Sequence, residues 1–277
     1  MRKNSFSFLL LLVGACAIGA CDDDTSTTSS SGSTSSGSGS STSSGTSTSS
    51  STGAGGADCT APLPEDTVQA LSLGIEPSYG AHPGDTIDFG VGTVACCYTF
   101  TEVDACAVYS SEPAAGATID PVTGVFVIDP STPAGSVFTV TADVENGRRL
   151  VTTKVYVYTP QSNPLVGAWS EESELACGTN APIAPESPIG ELVFRADGTF
   201  GVTWMPFELY VDYWGTYAFD LGTNALTLTV DSGNYVPKDI DGTGTFTVSG
   251  GKLTLGQMWL GTSQGGMGAP ACGHVFH

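Results

Sequence analysis

The chain has 277 residues, with 8 Lys+Arg against 28 Asp+Glu and a formal net charge of −20. Such a field repels phosphate backbones and anionic headgroups, which excludes nucleic-acid partners and charge-driven membrane binding. With 36 Gly and 16 Pro, the composition also argues against long helices.

Met1-Arg2-Lys3-Asn4 is a short basic start, and Phe6 to Ala20 is an apolar run with one hydroxyl, Ser7. The run is shorter than the roughly 20 residues a spanning helix needs, so it reads as a secretory signal over residues 1–20. It closes on Ile18-Gly19-Ala20-Cys21. Small residues before a cysteine resemble the lipobox of bacterial lipoproteins. That resemblance implies cleavage before Cys21, a diacylglycerol thioether on its sulfur, and a chain anchored in the cell envelope. Val13-Gly14-Ala15-Cys16 is a second candidate, but it would leave too short an apolar run. The resemblance leaves open whether the anchor sits in the inner or the outer membrane, and whether the protein is periplasmic or surface-exposed.

Residues 21–58 form the linker, and positions 25–57 hold only Ser, Thr, Gly and Ala. None of these can bury a core. A coil of that length spans roughly 30 Å on average.

Residues 59–160 carry short alternating stretches broken by Gly, Pro and Asp, which predicts an all-β sandwich. The predicted strands are Val68–Leu73, Thr86–Phe89, Val137–Ala142 and Val151–Tyr158. The segment resembles bacterial immunoglobulin-like domains in His82-Pro83-Gly84-Asp85-Thr86-Ile87-Asp88-Phe89, Ala117-Thr118-Ile119-Asp120, Thr123-Gly124-Val125-Phe126 and the last two strands. The resemblance implies a fold and no active site. Cys59, Cys96, Cys97 and Cys106 depart from that pattern. In an exported protein they read as structural disulfides rather than a metal cluster. Four cysteines allow three pairings. If the chain reverses near Thr101-Glu102, Cys97 faces Cys106 across a hairpin, and Cys59 takes Cys96 from the opposite face.

Residues 165–277 carry a second series of strands: Glu191–Arg195, Thr199–Trp204, Tyr213–Phe219, Leu226–Val230, Gly244–Val248 and Leu253–Leu255. Consecutive strands with short turns predict an up-and-down barrel or strongly curved meander. The segment resembles small bacterial lipocalin-like domains in Leu165-x-Gly167-x-Trp169, Leu192-Val193-Phe194 before Asp197-Gly198-Thr199-Phe200, Trp214-Gly215-Thr216-Tyr217 and a closing Gly250-Gly251-x-Leu253-Thr254-Leu255. No site residue transfers with it. Cys177 and Cys272 are this segment's only cysteines, and a bond between them would pin the C-terminal tail.

The functional expectation is a non-catalytic binding or interaction protein, with a small apolar ligand or a surface macromolecule as partner. The alternative is a purely structural or adhesive display protein. The apolar stretch around Trp204, Phe207 and Tyr210, with nearby Trp214, is the expected contact site. No cofactor, metal or catalytic residue is expected. Gly261-Thr262-Ser263-Gln264-Gly265 has the Gly-x-Ser-x-Gly spacing, but no helix can follow it and no acid lies between it and His274. Asp239-x-Asp241-Gly242 lacks the further donors of a calcium loop and reads as a turn. His274 and His277 read as a fraying tail.

Overall fold

The computed structural model describes residues 62–75, 78–95, 99–207, 210–266 and 270–277. The signal segment, Cys21, the linker and Cys59, Cys96 and Cys97 lie outside the described residues. What is described is all-β apart from one short helix.

That helix corrects the expected first strand. Residues Glu65–Ala70 form α1, and only Leu71–Leu73 are extended, as β1. Local chemistry outweighs the two-residue alternation here. Pro64 stands at the helix start, Glu65 and Asp66 occupy its first turn, and the Gln69 amide donates to Glu65 one turn back at 2.9 Å. Val68 faces inward and is fully buried.

The strands β2 (Ser78–Ala81), β3 (Thr86–Asp88), β4 (Val91–Val94), β5 (Phe100–Glu102), β6 (Ala107–Glu112), β7 (Ala117–Ile119), β8 (Val125–Ile128), β9 (Val137–Val144) and β10 (Arg149–Val157) complete this half. They form three sheets, ordered β1-β4-β5, β2-β10-β9-β6 and β3-β8-β7. β9 and β10 are the longest pair, turning over Glu145-Asn146-Gly147 with φ positive at all three. Their alternation sends Phe138, Val140, Ala142, Val144, Val151, Val155 and Val157 into one core. Phe89, Phe126 and Phe138 cross it as tilted and edge-on ring contacts at 6.0 and 5.5 Å. β2 runs parallel to β10 and closes that sheet's edge.

Thr101 and Glu102, expected near a reversal, lie instead inside β5, Phe100–Glu102. The expected partner of Cys106, Cys97, and the Cys59–Cys96 pairing lie outside the described residues. Cys106 is disulfide-bonded.

The second half contains β11 (Gly167–Trp169), β12 (Glu171–Leu175), β13 (Pro182–Ile183), β14 (Glu191–Phe194), β15 (Thr199–Thr203), β16 (Tyr213–Asp220), β17 (Ala225–Gly233), β18 (Thr243–Ser249), β19 (Lys252–Gly256) and β20 (Gly273–Phe276). From β14 to β20 each strand pairs antiparallel with the next. β11 pairs with β14, while β12 pairs with β20. Only Ser170 separates β11 from β12, so one stretch of chain lies between both ends of the meander. Ser170 and His277 exchange N–H···O bonds of 3.0 Å, and the Ser170 hydroxyl donates to the Gly190 carbonyl at 2.9 Å. The sheet thereby curls back on itself.

An eight-position barrel is just wide enough for side chains to fill. Leu165, Leu192, Phe194, Phe200, Tyr213, Leu226, Phe246, Leu253, Leu255 and Phe276 all point into one continuous core. The disulfide expected between Cys177 and Cys272 is present and ties the chain after β12 to the chain before β20. The tail is correspondingly not frayed: β20 is a full member of the sheet, and His274 is 1% exposed.

Candidate functional site

The meander sorts its connections by length. Tight turns at 195–198, 221–224 and 250–251 fall at one end, and the longer loops 176–190, 204–212, 234–242 and 257–272 at the other. The tight-turn end meets the first half of the chain. There the Ser78 hydroxyl donates to the Asp197 carboxylate at 2.7 Å, and a Cβ added at Gly80 would stand 3.0 Å from that of Ala196. Variation without cost to the core is thus confined to the long-loop end.

That end carries a cup of about 360 Å³ lined by Ser187, Trp204, Met205, Phe207, Tyr210, Asp212, Ser263 and Gln264. Its size falls in the range of small-molecule sites. Trp204, Phe207 and Tyr210, expected together from the sequence, all border it. Trp214 does not. It follows the fully buried Tyr213 on β16, and successive strand residues point to opposite faces. Met205 is 76% and Phe207 58% exposed, among the largest exposures of any apolar side chain described. Phe207 stacks on Tyr210 with ring centres 5.0 Å apart and planes 11° from parallel.

Asp212 holds the loop's shape. One carboxylate oxygen accepts the Trp204 N–H at 2.8 Å and the other accepts the Tyr210 hydroxyl at 3.1 Å. The carboxylate is 95% removed from solvent, since Asp212 is 5% exposed. Burial and then the Asp212 charge push the Tyr210 phenol above its ordinary range.

Beneath the cup lies a cavity of about 20 Å³, room for one water. Glu171, Glu174, Glu186, Trp259, Ser263 and His274 border it. Glu171 and His274 are joined there, Oε1 to Nδ1, at 2.6 Å, with side chains 1% and 2% exposed. The Leu260 N–H donates to His274 Nε2 at 3.3 Å. Nε2 is therefore an acceptor, and the ring proton sits on Nδ1, donated to the carboxylate. The other Glu171 oxygen accepts the Ile189 N–H at 2.8 Å. Trp259 stacks on the imidazole at 5.2 Å. Burial, then the Glu171 charge, raises the Glu174 carboxyl.

This pair escaped the sequence reading, which looked for an acid between Ser263 and His274 and placed His274 in a loose tail. The available signal was alternation: Cys272-Gly273-His274-Val275-Phe276 places His274 and Phe276 on one face. Ser263 borders the same cavity, but no hydrogen bond joins its hydroxyl to His274, whose Nε2 is engaged by Leu260. A nucleophile needs its base within reach, and this serine does not have it.

Asp239 sits in a turn, as expected, and ties two loops of the same end. It accepts the Trp259 indole N–H at 2.9 Å and the Thr262 hydroxyl at 2.6 Å on one oxygen, and the Thr262 N–H at 3.1 Å on the other. Burial opposes its ionisation, but the bonds from Thr262 and Trp259 outweigh this and hold the carboxyl below its ordinary 3.8. A carboxyl depressed in the folded state stabilises above its unfolded pKa and loses that contribution as pH falls through the folded one. Asp239→Asn is expected to lower the melting temperature at pH 7, with the gap to wild type closing as pH falls below 3.8 through the depressed folded-state pKa. A gap that persists unchanged in acid would show that the charge is not what matters.

A further cleft of about 430 Å³ runs between the two halves, bordered by Tyr156, Asn163, Asp197, Tyr217 and Phe219. Its tyrosine is structurally engaged: the Tyr217 hydroxyl accepts from the Asn163 amide and donates to the Arg195 carbonyl, each at 2.7 Å. Burial pushes that phenol up to about 12.

Among the described residues no group of three His, Cys, Asp or Glu is placed to hold a metal ion, and no helix is long and apolar enough to cross a membrane.

No family model matches the sequence, and no curated protein matches it. Among solved structures, the chain is similar to that of the protocadherin gammaB7 EC3-6 cis-dimer at 12% sequence identity and a TM-score of 0.21. The match covers 65% of this chain and 40% of that one, so this chain spans less than half of its length.

Proposed function

We propose that this is a lipid-anchored bacterial envelope protein with a non-catalytic binding role, its immunoglobulin-like half a stalk and its lipocalin-like half the receptor. The ligand is a small, largely apolar molecule held at the long-loop end. The cup around Trp204, Met205, Phe207 and Tyr210 carries this reading: Met205 and Phe207, large apolar side chains left open to water, cost free energy that a bound ligand recovers. The site is the rim rather than the lumen, because the interior of the curled sheet is filled by its own side chains. That same filled interior favours the second reading, a structural or adhesive display protein that holds no soluble ligand.

The anchor is Cys21, and the Ser/Thr/Gly linker spaces the folded part from the membrane. Two acyl chains give stable attachment, since each buried CH₂ contributes about 0.8 kcal/mol.

One experiment addresses both parts. The chain is purified from its native envelope and weighed intact, under native and then denaturing conditions. The expected denatured mass begins at a diacylglycerol-modified Cys21. The expected native mass carries one additional small molecule, lost on denaturation and absent from Phe207→Ala. An unmodified N-terminus rules out the anchor. A native mass equal to the denatured one moves the weight to display.

A further inference from the structure

We infer that the cup takes an organic cation with an apolar body, such as a substituted ammonium. This rests on the reading of the cup as a ligand site and names the chemistry of its occupant.

Three aromatic rings border the cup, and two of them, Phe207 and Tyr210, lie parallel. Aromatic faces carry the negative end of the ring quadrupole, so a cation placed over them within about 6 Å is attracted. The Tyr210 hydroxyl donates to Asp212, which leaves its ring more electron-rich.

Asp212 supplies a full charge. It accepts two hydrogen bonds from neutral donors, and no cationic side chain is among its partners. Neither the cup nor the cavity beneath it has a Lys or Arg among its described lining residues. The cavity adds Glu171, whose partner His274 is neutral by its hydrogen bonds, together with Glu174 and Glu186. The whole chain carries −20. An anionic ligand meets this field at every distance. An uncharged apolar ligand would bury the Asp212 charge further without compensation. An ammonium with an apolar body answers both surfaces at once, its charge toward Asp212 and the rings, its body against Trp204 and Met205. The thioether of Met205 adapts to such a body.

The test uses the full chain and three probes of one shape: benzyltrimethylammonium, its uncharged isostere neopentylbenzene, and the anion phenylmethanesulfonate. Binding is read by tryptophan fluorescence and calorimetry. The expected result is at least tenfold tighter binding of the cation than of the isostere, with no binding of the anion. Phe207→Leu keeps the apolar bulk and removes one ring; it is expected to weaken the cation about fivefold and leave the isostere unchanged. Asp212→Asn is expected to erase the preference for charge. Should that variant fail to fold, the wild-type ratio and Phe207→Leu still decide. Equal binding of cation and isostere overturns the cation assignment and leaves an apolar site standing. Absence of binding by all three overturns the assignment and the cup as a ligand site together.

Discussion

Replacing Cys177 and Cys272 together by alanine is expected to cost about 4–5 kcal/mol of stability in the second half of the chain. The bond closes a loop of 95 residues, and opening it returns the entropy of that loop to the unfolded chain. Its position raises the consequence. Cys177 lies two residues after β12 and Cys272 immediately precedes β20, and these two strands pair where the end of the meander meets its beginning. The Cys272 N–H donates to the Leu175 carbonyl and its own carbonyl accepts the Gln257 N–H, at 2.9 and 2.8 Å. These bonds keep β20 in register in the variant, so the barrel is expected to fold but melt much earlier. Urea unfolding monitored by tryptophan fluorescence measures the loss. A loss below about 1 kcal/mol would mean that the unfolded chain is already compact around these positions. Loop 257–272 should become the first site of proteolysis, because it is then tethered by hydrogen bonds alone.

The second large effect is expected at Glu171. Glu171→Ala should cost about 2–6 kcal/mol, the penalty for leaving two buried donors without an acceptor. Two donors lose their acceptor, His274 Nδ1–H and the Ile189 N–H, in a place with room for one water. Glu171→Gln keeps the size but has one acceptor oxygen for two donors, so about 1–3 kcal/mol is expected. Glu171→Leu with His274→Phe removes the buried charge but leaves the Ile189 and Leu260 N–H groups without their acceptors, so only part of the loss should be recovered. Chemical denaturation of these proteins, with the single variants Glu171→Leu and His274→Phe completing the cycle, gives the coupling. If the single alanine variant costs less than about 1 kcal/mol, the pair is wetter than its burial indicates. If the apolar double variant is as stable as wild type yet binds cations less well, the Glu171 charge serves the cup rather than the fold.

Elements and partners were legible in the sequence to different degrees. The strands β9, β10 and β16 to β19 are legible because alternation over five or more residues exposes one face to water and buries the other, and β14 and β15 because apolar runs flank the turn Asp197-Gly198. β6, with the sequence Ala-Val-Tyr-Ser-Ser-Glu, could not, since polar residues crowd both of its faces. Residues 68–70 alternate like a strand, yet Pro64 and the acidic first turn favour a helix there. Trp204, Phe207 and Tyr210 could be grouped from the sequence because they fall together in one apolar loop, although Trp204 is buried in the core while Phe207 is exposed. Trp214 could not be separated from them, because which side of β16 it faces depends on pairing with β15 and β17.

By itself the sequence determined the all-β class, the partition of the chain into two runs of strands, the Cys177–Cys272 bond and the grouping of Trp204, Phe207 and Tyr210 in one loop. Each follows from local pattern: alternation, turn residues, or a segment with only two cysteines. Only the tertiary structure decided that one stretch of chain, β11 and β12, serves both ends of the meander, that the interior is filled, and that Glu171 meets His274 across 103 positions. Those facts depend on strand register and curvature. They arise where chain segments far apart in sequence come within a few ångströms, and no pattern local to either segment specifies the meeting.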